Sequence, residues 1–249
     1  MHRIFLKIKR RVSRLLLRPV HVYVFHHVSD VRDPLVSGAS DWTRTEVFKQ
    51  NILALKKKHS FIPLDKAWAK IQNDKLRLKS YAALTTDDGL TTVPFIFPWL
   101  ESQGIPLTCF INSQYLDGLS HKKEDETRIR REDPGADVHE VIKRQYMTAG
   151  QLESLSSPHI SIALHGNEHL DSTSLSEEDF IQNVELCRNS LYSHSGFSPF
   201  FAYPWGKHSK ETDRILKDRG LVPVLVDGEA NYHSNDVIHR ECIDGQTIK

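Results

Sequence analysis

The chain has 249 residues, 39% hydrophobic and 26% charged, with a formal net charge of +1. That length suits one large α/β domain or two small ones, and the composition is that of a globular chain rather than a disordered one. The balanced charge gives no overall pull toward nucleic acid or a membrane, and three widely spaced cysteines with no C-x-x-C pair exclude a disulfide framework or a zinc ribbon.

The first 19 residues are the one charge-biased segment. Arg3, Lys7, Lys9, Arg10, Arg11, Arg14 and Arg18 occur with no acidic residue before Asp30, while Ile4, Phe5, Ile8, Val12, Leu15 and Leu16 share one helical face. The apolar stretches are too short and interrupted for a signal-peptide core or a membrane span. Two readings stay open for residues 1–18: a helix packed on the domain, or a basic helix lying on an anionic membrane surface. The expected location is therefore cytoplasmic, or peripheral at the cytoplasmic membrane face.

From Val20 short apolar runs alternate with helical patterns. Strands are expected at Val20–His26, Tyr81–Thr86, Pro106–Asn112, His159–Leu164, Pro199–Tyr203 and Leu221–Leu225, with a weaker one at Val237–Arg240. Helices are expected at Glu46–Lys58, Asp65–Gln72, Val93–Ser102 (disturbed by Pro98), Ser176–Ser193 and Ser209–Arg219, the last stopped by Gly220. Residues 118–145 break the rhythm with dense charge and Pro134-Gly135, an excursion over the surface. Cys109 and Cys187 fall in apolar settings and read as buried small hydrophobes. Strands separated by helices require right-handed crossovers and a parallel sheet. About seven such repeats predict a distorted, incomplete (β/α)7-type barrel, a single α/β domain over residues 20–249.

Four strand ends carry chemistry. Leu84-Thr-Thr-Asp-Asp-Gly89 runs from an apolar strand into two adjacent carboxylates, whose mutual repulsion is relieved by a divalent cation. Ile160-Ser-Ile-Ala-Leu-His165 leads into His165 and His169, which can aim at one ion if the backbone between them turns. Phe200-Phe-Ala-Tyr-Pro-Trp-Gly206 and Val22-Tyr-Val-Phe-His26 end in a Pro/Gly turn and in two histidines, each ordinary alone. Together they matter because barrel chemistry sits at the C-terminal ends of strands. One carboxylate and two imidazoles leave coordination positions open for water and substrate.

Thr85-Thr-Asp-Asp-Gly89, His165-Gly-Asn-Glu-His169 and Ala202-Tyr-Pro-Trp-Gly206 resemble, in order, the T-F-D-D-G, H-S/T-x-x-H and R-x-P-x-G motifs of the polysaccharide deacetylase family, the NodB-homology domain of carbohydrate esterase family four. Trp42-Thr-Arg-Thr-Glu-Val-Phe48, Gly104-Ile-Pro-Leu-Thr-Cys-Phe110 and Met147-Thr-Ala-Gly-Gln-Leu152 are similar to family members as well, so the resemblance spans about Tyr23 to Ile243. It implies one divalent cation, Zn2+ foremost, with Co2+, Ni2+ or Fe2+ as alternatives, on Asp88, His165 and His169. It implies Asp87 as the general base, a backbone N–H near Trp205 for the oxyanion, and Tyr203, Pro204, Trp205 and Gly206 around the substrate.

The chain departs from the pattern at four places. Thr86 stands for Phe, Gly166 for Ser or Thr, and Ala202 for the Arg that orients the base; the C-terminal L-x-H that supplies the acid is absent. In a barrel whose first and last strands are neighbours, His26 can reach the acid's position. It lies in a Val24-Phe-His26 string like the Y-H-x-V signature of the biofilm-polysaccharide deacetylases. Arg240, near the last strand, is the candidate to orient the base. The expected activity is removal of N-acetyl groups from amino sugars of a polysaccharide, oligosaccharide or lipid-linked glycan. Deformylation of a formamido sugar and silent sugar binding are the alternatives; no nucleic-acid partner is expected, and oligomeric state is not legible.

Overall fold

The computed structural model describes residues 18–30, 42–74, 76–117 and 123–248. Its elements are β1 (Val20–Phe25), β2 (His27–Val28), β3 (Trp42–Thr43), α1 (Thr45–Lys58), β4 (Ser60–Phe61), α2 (Leu64–Asn73), β5 (Tyr81–Thr86), α3 (Thr92–Ser102) and β6 (Leu107–Ile111). After a 3-10 turn at Ser113–Asp117 follow α4 (Lys123–Glu132), α5 (Val138–Gln145), α6 (Ala149–Ser154), β7 (Ile160–Leu164), α7 (Glu177–Leu191) and β8 (Phe197–Ala202). A second 3-10 turn, Pro204–Gly206, leads to α8 (Lys210–Asp218), β9 (Val222–Val224) and β10 (Glu241–Cys242).

The main sheet has the order β10-β1-β5-β6-β7-β8-β9, with β4 also on β5, and every pair is parallel. Between β9 and β10 the pairing thins to one parallel bridge, Val224 with Ile238. The result is the expected α/β architecture, a distorted barrel left incompletely paired on one side. Parallel strands are covered on both faces, so they read as nearly unbroken apolar runs; all five residues of β6 are buried. Alternate side chains then serve two layers. Val20, Val22, Ala83, Phe110, Ala163, Phe200 and Val224 fill one face, while Phe25, Leu84, Cys109, Ile162 and Phe201 pack on the other with helical residues such as Phe48 and Val184.

The helices follow their local signals. Ser176 caps α7 by accepting from the Asp179 N–H at 3.1 Å, and Phe180, Val184, Cys187 and Leu191 are buried. Ser209 and Thr212 form a capping box on α8. Pro98 does not interrupt α3, contrary to expectation. The helix runs through it with Val93, Ile96, Phe97 and Leu100 buried, and that packing outweighs one lost ladder bond.

The described part of the charged segment 118–145 carries α4 and α5, with Ile129, Val141 and Ile142 buried against Leu90, Tyr115 and Tyr146. One expectation needs correction. The last strand is Glu241–Cys242 rather than Val237–Arg240, where Ile238 forms only the single bridge. The basic segment 1–18 lies outside the described residues except for Arg18, whose N–H donates to Arg77 O at 3.2 Å. No described helix is long and apolar enough to cross a membrane.

Candidate active site

Each sequence-predicted side chain stands at or just beyond a strand's C-terminal end, apart from Arg240, which precedes β10. β5 ends at Thr86 and delivers Asp87 and Asp88; β7 ends at Leu164 and delivers His165; β8 ends at Ala202 and delivers Tyr203 to Gly206; β1 ends at Phe25 and delivers His26. The two adjacent carboxylates face different partners because the chain turns between them. Asp88 has φ +71°, a left-handed conformation that side-chain-bearing residues seldom adopt.

Asp88 points at the histidines. Its Oδ1 lies 3.5 Å from His165 Nε2 and 3.4 Å from His169 Nε2. His165 is fixed by its other nitrogen, since Nδ1 donates to Ala202 O at 2.8 Å, leaving Nε2 to face Asp88. Asn112 holds the backbone beneath it, donating to His165 O at 2.6 Å. His169 is positioned through its backbone N–H, which donates to the Tyr115 hydroxyl at 3.4 Å, and by the Trp205 ring standing edge-on at 4.4 Å. The turn between the histidines requires Gly166: its φ is +84°, and a Cβ there would meet Asn183 Oδ1 at 2.6 Å and Glu168 O at 2.9 Å. The departure from Ser or Thr thus has a steric cause.

These donors fit a divalent cation. Metal–nitrogen and metal–oxygen bonds of about 2.0–2.2 Å at tetrahedral angles hold ligand atoms about 3.4 Å apart, the spacing observed here. A second group with ligand atoms within 4.8 Å of one another is His26, Cys242 and Asp244.

Asp87 points the other way, into a buried ion pair. Arg240 donates from Nη1 to Oδ1 at 2.7 Å and from Nη2 to Oδ2 at 2.8 Å, with neither side chain more than 3% exposed. The guanidinium is held in turn by Leu225 O and Thr85 Oγ1 and lies 5.0 Å over the Phe110 ring. Burial alone would raise the Asp87 pKa. The Arg240 charge, reinforced by His165 and His26, brings it down to about 2. Arg240 thus supplies Asp87 with an arginine partner that Ala202, where the family pattern has Arg, does not.

His26 closes the site. Its Nε2 is 3.9 Å from Asp87 Oδ2, and its Nδ1 is 2.7 Å from Asp244 Oδ2. Burial opposes protonation of the ring, but the Asp244 hydrogen bond and charge overcome it and push the pKa well above the ordinary histidine range. The Asp244 carboxylate also accepts from the His26 backbone N–H at 3.2 Å. Sequence reasoning missed Asp244, Tyr115 and Asn112. Asp244 had only the form of an Asp-Gly turn two residues past β10; Tyr115 and Asn112 had no signal.

Solved structures with the same fold include the de-N-acetylase of Aggregatibacter actinomycetemcomitans (16% identity, TM-score 0.73, 92% of this chain and 97% of that one) and IcaB of Ammonifex degensii (19%, 0.70, 91% and 92%). The Streptococcus pyogenes deacetylase PplD in complex with acetate is similar too (14%, 0.69, 92% and 93%). No curated protein matches the chain. The polysaccharide deacetylase family model matches residues 75–224, more than half of the chain, across the Asp88, His165 and His169 cluster. The chain belongs to the polysaccharide deacetylase family, as a metal-dependent hydrolase of the carbohydrate-deacetylase type.

Proposed function

We propose that this protein hydrolyses the N-acetyl group of an amino sugar within a glycan, releasing acetate and a free amine. One observation carries the reading: a carboxylate clamped by Arg240 and an imidazole hydrogen-bonded to Asp244 face each other at 3.9 Å beside the cluster of Asp88, His165 and His169. Asp88, His165 and His169 hold the cation, Zn2+ or another borderline divalent ion, which when bound supplies Lewis acidity to water and to the amide carbonyl.

The chain's own residues do the rest. Asp87, kept ionised and oriented by both guanidinium nitrogens of Arg240, accepts the proton of the attacking water. The backbone N–H near Trp205 supports the oxygen that gains charge. His26, protonated through Asp244, donates from Nε2 to the departing amine nitrogen, without which nitrogen would leave as a strongly basic anion. The exposed indole of Trp205 beside His169 offers a flat apolar face for a sugar ring.

The test is acetate release from a panel of N-acetylated amino-sugar oligomers and lipid-linked glycans by cation-loaded protein, with formate release measured on matched formamido sugars. Acetate is expected, dependent on the cation, and lost in Asp87→Asn while the cation stays bound. Folded, loaded protein inert across the panel would overturn the reading; formate without acetate would replace it with the deformylase.

A further inference from the structure

We propose that His26, Cys242 and Asp244 form a second, weaker cation site, filled when a soft divalent ion such as Zn2+ is in excess, and that filling it stops hydrolysis. The binding half stands on geometry alone; the inhibitory half rests on the reading of His26 as the acid.

The parallel register of β1 and β10, Val24 opposite Cys242, brings the three donors together from chain positions more than 200 residues apart. Cys242 Sγ is 3.3 Å from Asp244 Oδ2, His26 Nδ1 is 2.7 Å from the same oxygen, and all three ligand atoms lie within 4.8 Å of one another. A thiolate, an imidazole and a carboxylate around zinc stand about 3.4–3.6 Å apart, so the cluster needs only a small opening to accept an ion. The carboxylate is already fixed, accepting from the His26 backbone N–H and from Thr43 Oγ1 at 3.5 Å.

Sulfur makes this site chemically unlike the Asp88 cluster, which offers only nitrogen and oxygen. Cys242 is also the reachable thiol. It is half-buried, whereas Cys109 and Cys187 are buried in the core, where burial pushes the Cys187 thiol up to about 11. Binding releases the thiol proton and the His26 Nδ1 proton and breaks the 2.7 Å hydrogen bond, which makes this site the weaker one.

An ion on Nδ1 disables the acid. A protonated His26 that gives up its Nε2 proton becomes neutral imidazole. With a cation on Nδ1, the same donation would have to leave an imidazolate, a far poorer exchange, and Asp244 would serve the ion instead of the ring.

Cobalt reports the site directly, because sulfur ligation gives a near-ultraviolet charge-transfer band that nitrogen and oxygen ligands do not. The 249-residue chain titrated with Co2+ is expected to take up one ion without the band and a second with it. Cys242→Ser should bind one ion and show no band, and His165→Ala should retain the band. Excess Zn2+ is expected to slow wild-type acetate release at least tenfold and to leave Cys242→Ser unaffected. Uptake of a single ion with no band, or an equal band in Cys242→Ser, overturns the site. A band with full activity in excess Zn2+ upholds the site and overturns the inhibitory half together with the acid role of His26.

Discussion

Asp88, His165 and His169 come from β5 and β7, two strands with one other between them, and the two histidines lie within five residues of each other. His26, Asp244 and Arg240 come from the two ends of the chain and meet only where β10 pairs with β1. The first group is a local device: a short turn with Gly166 at positive φ aims two imidazoles at one carboxylate. The second is a product of closure, in which groups of opposite charge set the proton affinity of Asp87 and His26. The proposed cation site is therefore encoded by short strings, while the proposed acid–base pair depends on the whole sheet forming. Disrupting one side should leave the other standing.

The largest effect is expected on the motif side. Losing His165 removes one of the three proposed protein ligands, whose ring Ala202 O orients. His165→Ala should bind no ion at the Asp88 cluster after desalting and lose at least about 10²-fold in hydrolysis, while remaining folded at a lowered unfolding midpoint, since Ala202 O loses its partner. Metal content per chain and circular dichroism check both parts. Retention of the ion would remove His165 from the proposed ligand set.

Next comes the acid on the seam side. His26→Ala should keep the Asp88-cluster ion and lose about 10²–10⁴-fold in kcat, the usual worth of a positioned proton donor. The loss should shrink on substrates whose leaving amine is electron-poor, since these need less protonation. A uniform loss across leaving groups would assign His26 a positioning role.

Arg240→Leu sharpens the comparison through stability. Removing one partner of a buried ion pair costs about 3–5 kcal/mol because the other charge is left uncompensated. The sign with pH follows from Asp87. With its folded pKa depressed to about 2, it contributes stability that is complete above its unfolded pKa of about 3.9 and is lost as pH falls through 2. Without Arg240, burial raises the folded pKa above the unfolded one, and protonation then relieves the strain. The stability gap between wild type and variant should narrow as pH drops from 7 to 4, measured by urea unfolding. A constant gap would mean that the arginine acts by packing alone.

The same contrast explains what was legible in the sequence. β1, β5, β6 and β7 stand out because strands buried on both faces are continuous apolar runs. Asp88, His165 and His169 stand out because they are near one another in sequence or lie past strand ends. Asp244 does not, since Ile243-Asp244-Gly245 reads as an ordinary Asp-Gly turn until the Val24–Cys242 register places it beside His26. The α4–α5 helices were hidden by their charge: Ile129, Val141 and Ile142 are too few in too acidic and basic a stretch to signal periodicity. Arg240 could be proposed for position but not for geometry, because its reach beneath the site depends on Leu225, Thr85 and Phe110.

Asp244→Asn is the mildest change and the finest test of the seam. It removes a charge while keeping the carboxamide oxygen as an acceptor for the His26 ring and backbone. Because Asp244 raises the His26 pKa, the protonated form persists to higher pH in wild type and is lost only as pH rises through that raised value. Asparagine should shift the alkaline limb of kcat to lower pH, with the acidic limb set by Asp87 unmoved, KM nearly constant and the Asp88-cluster ion fully retained. At a pH below the new limb the variant should approach wild-type turnover, since the acid is then protonated in both. A purely structural role for Asp244 would instead lower turnover equally at every pH, and that outcome would place the proton held at His26 under the control of Asp87 rather than of the chain's last strand.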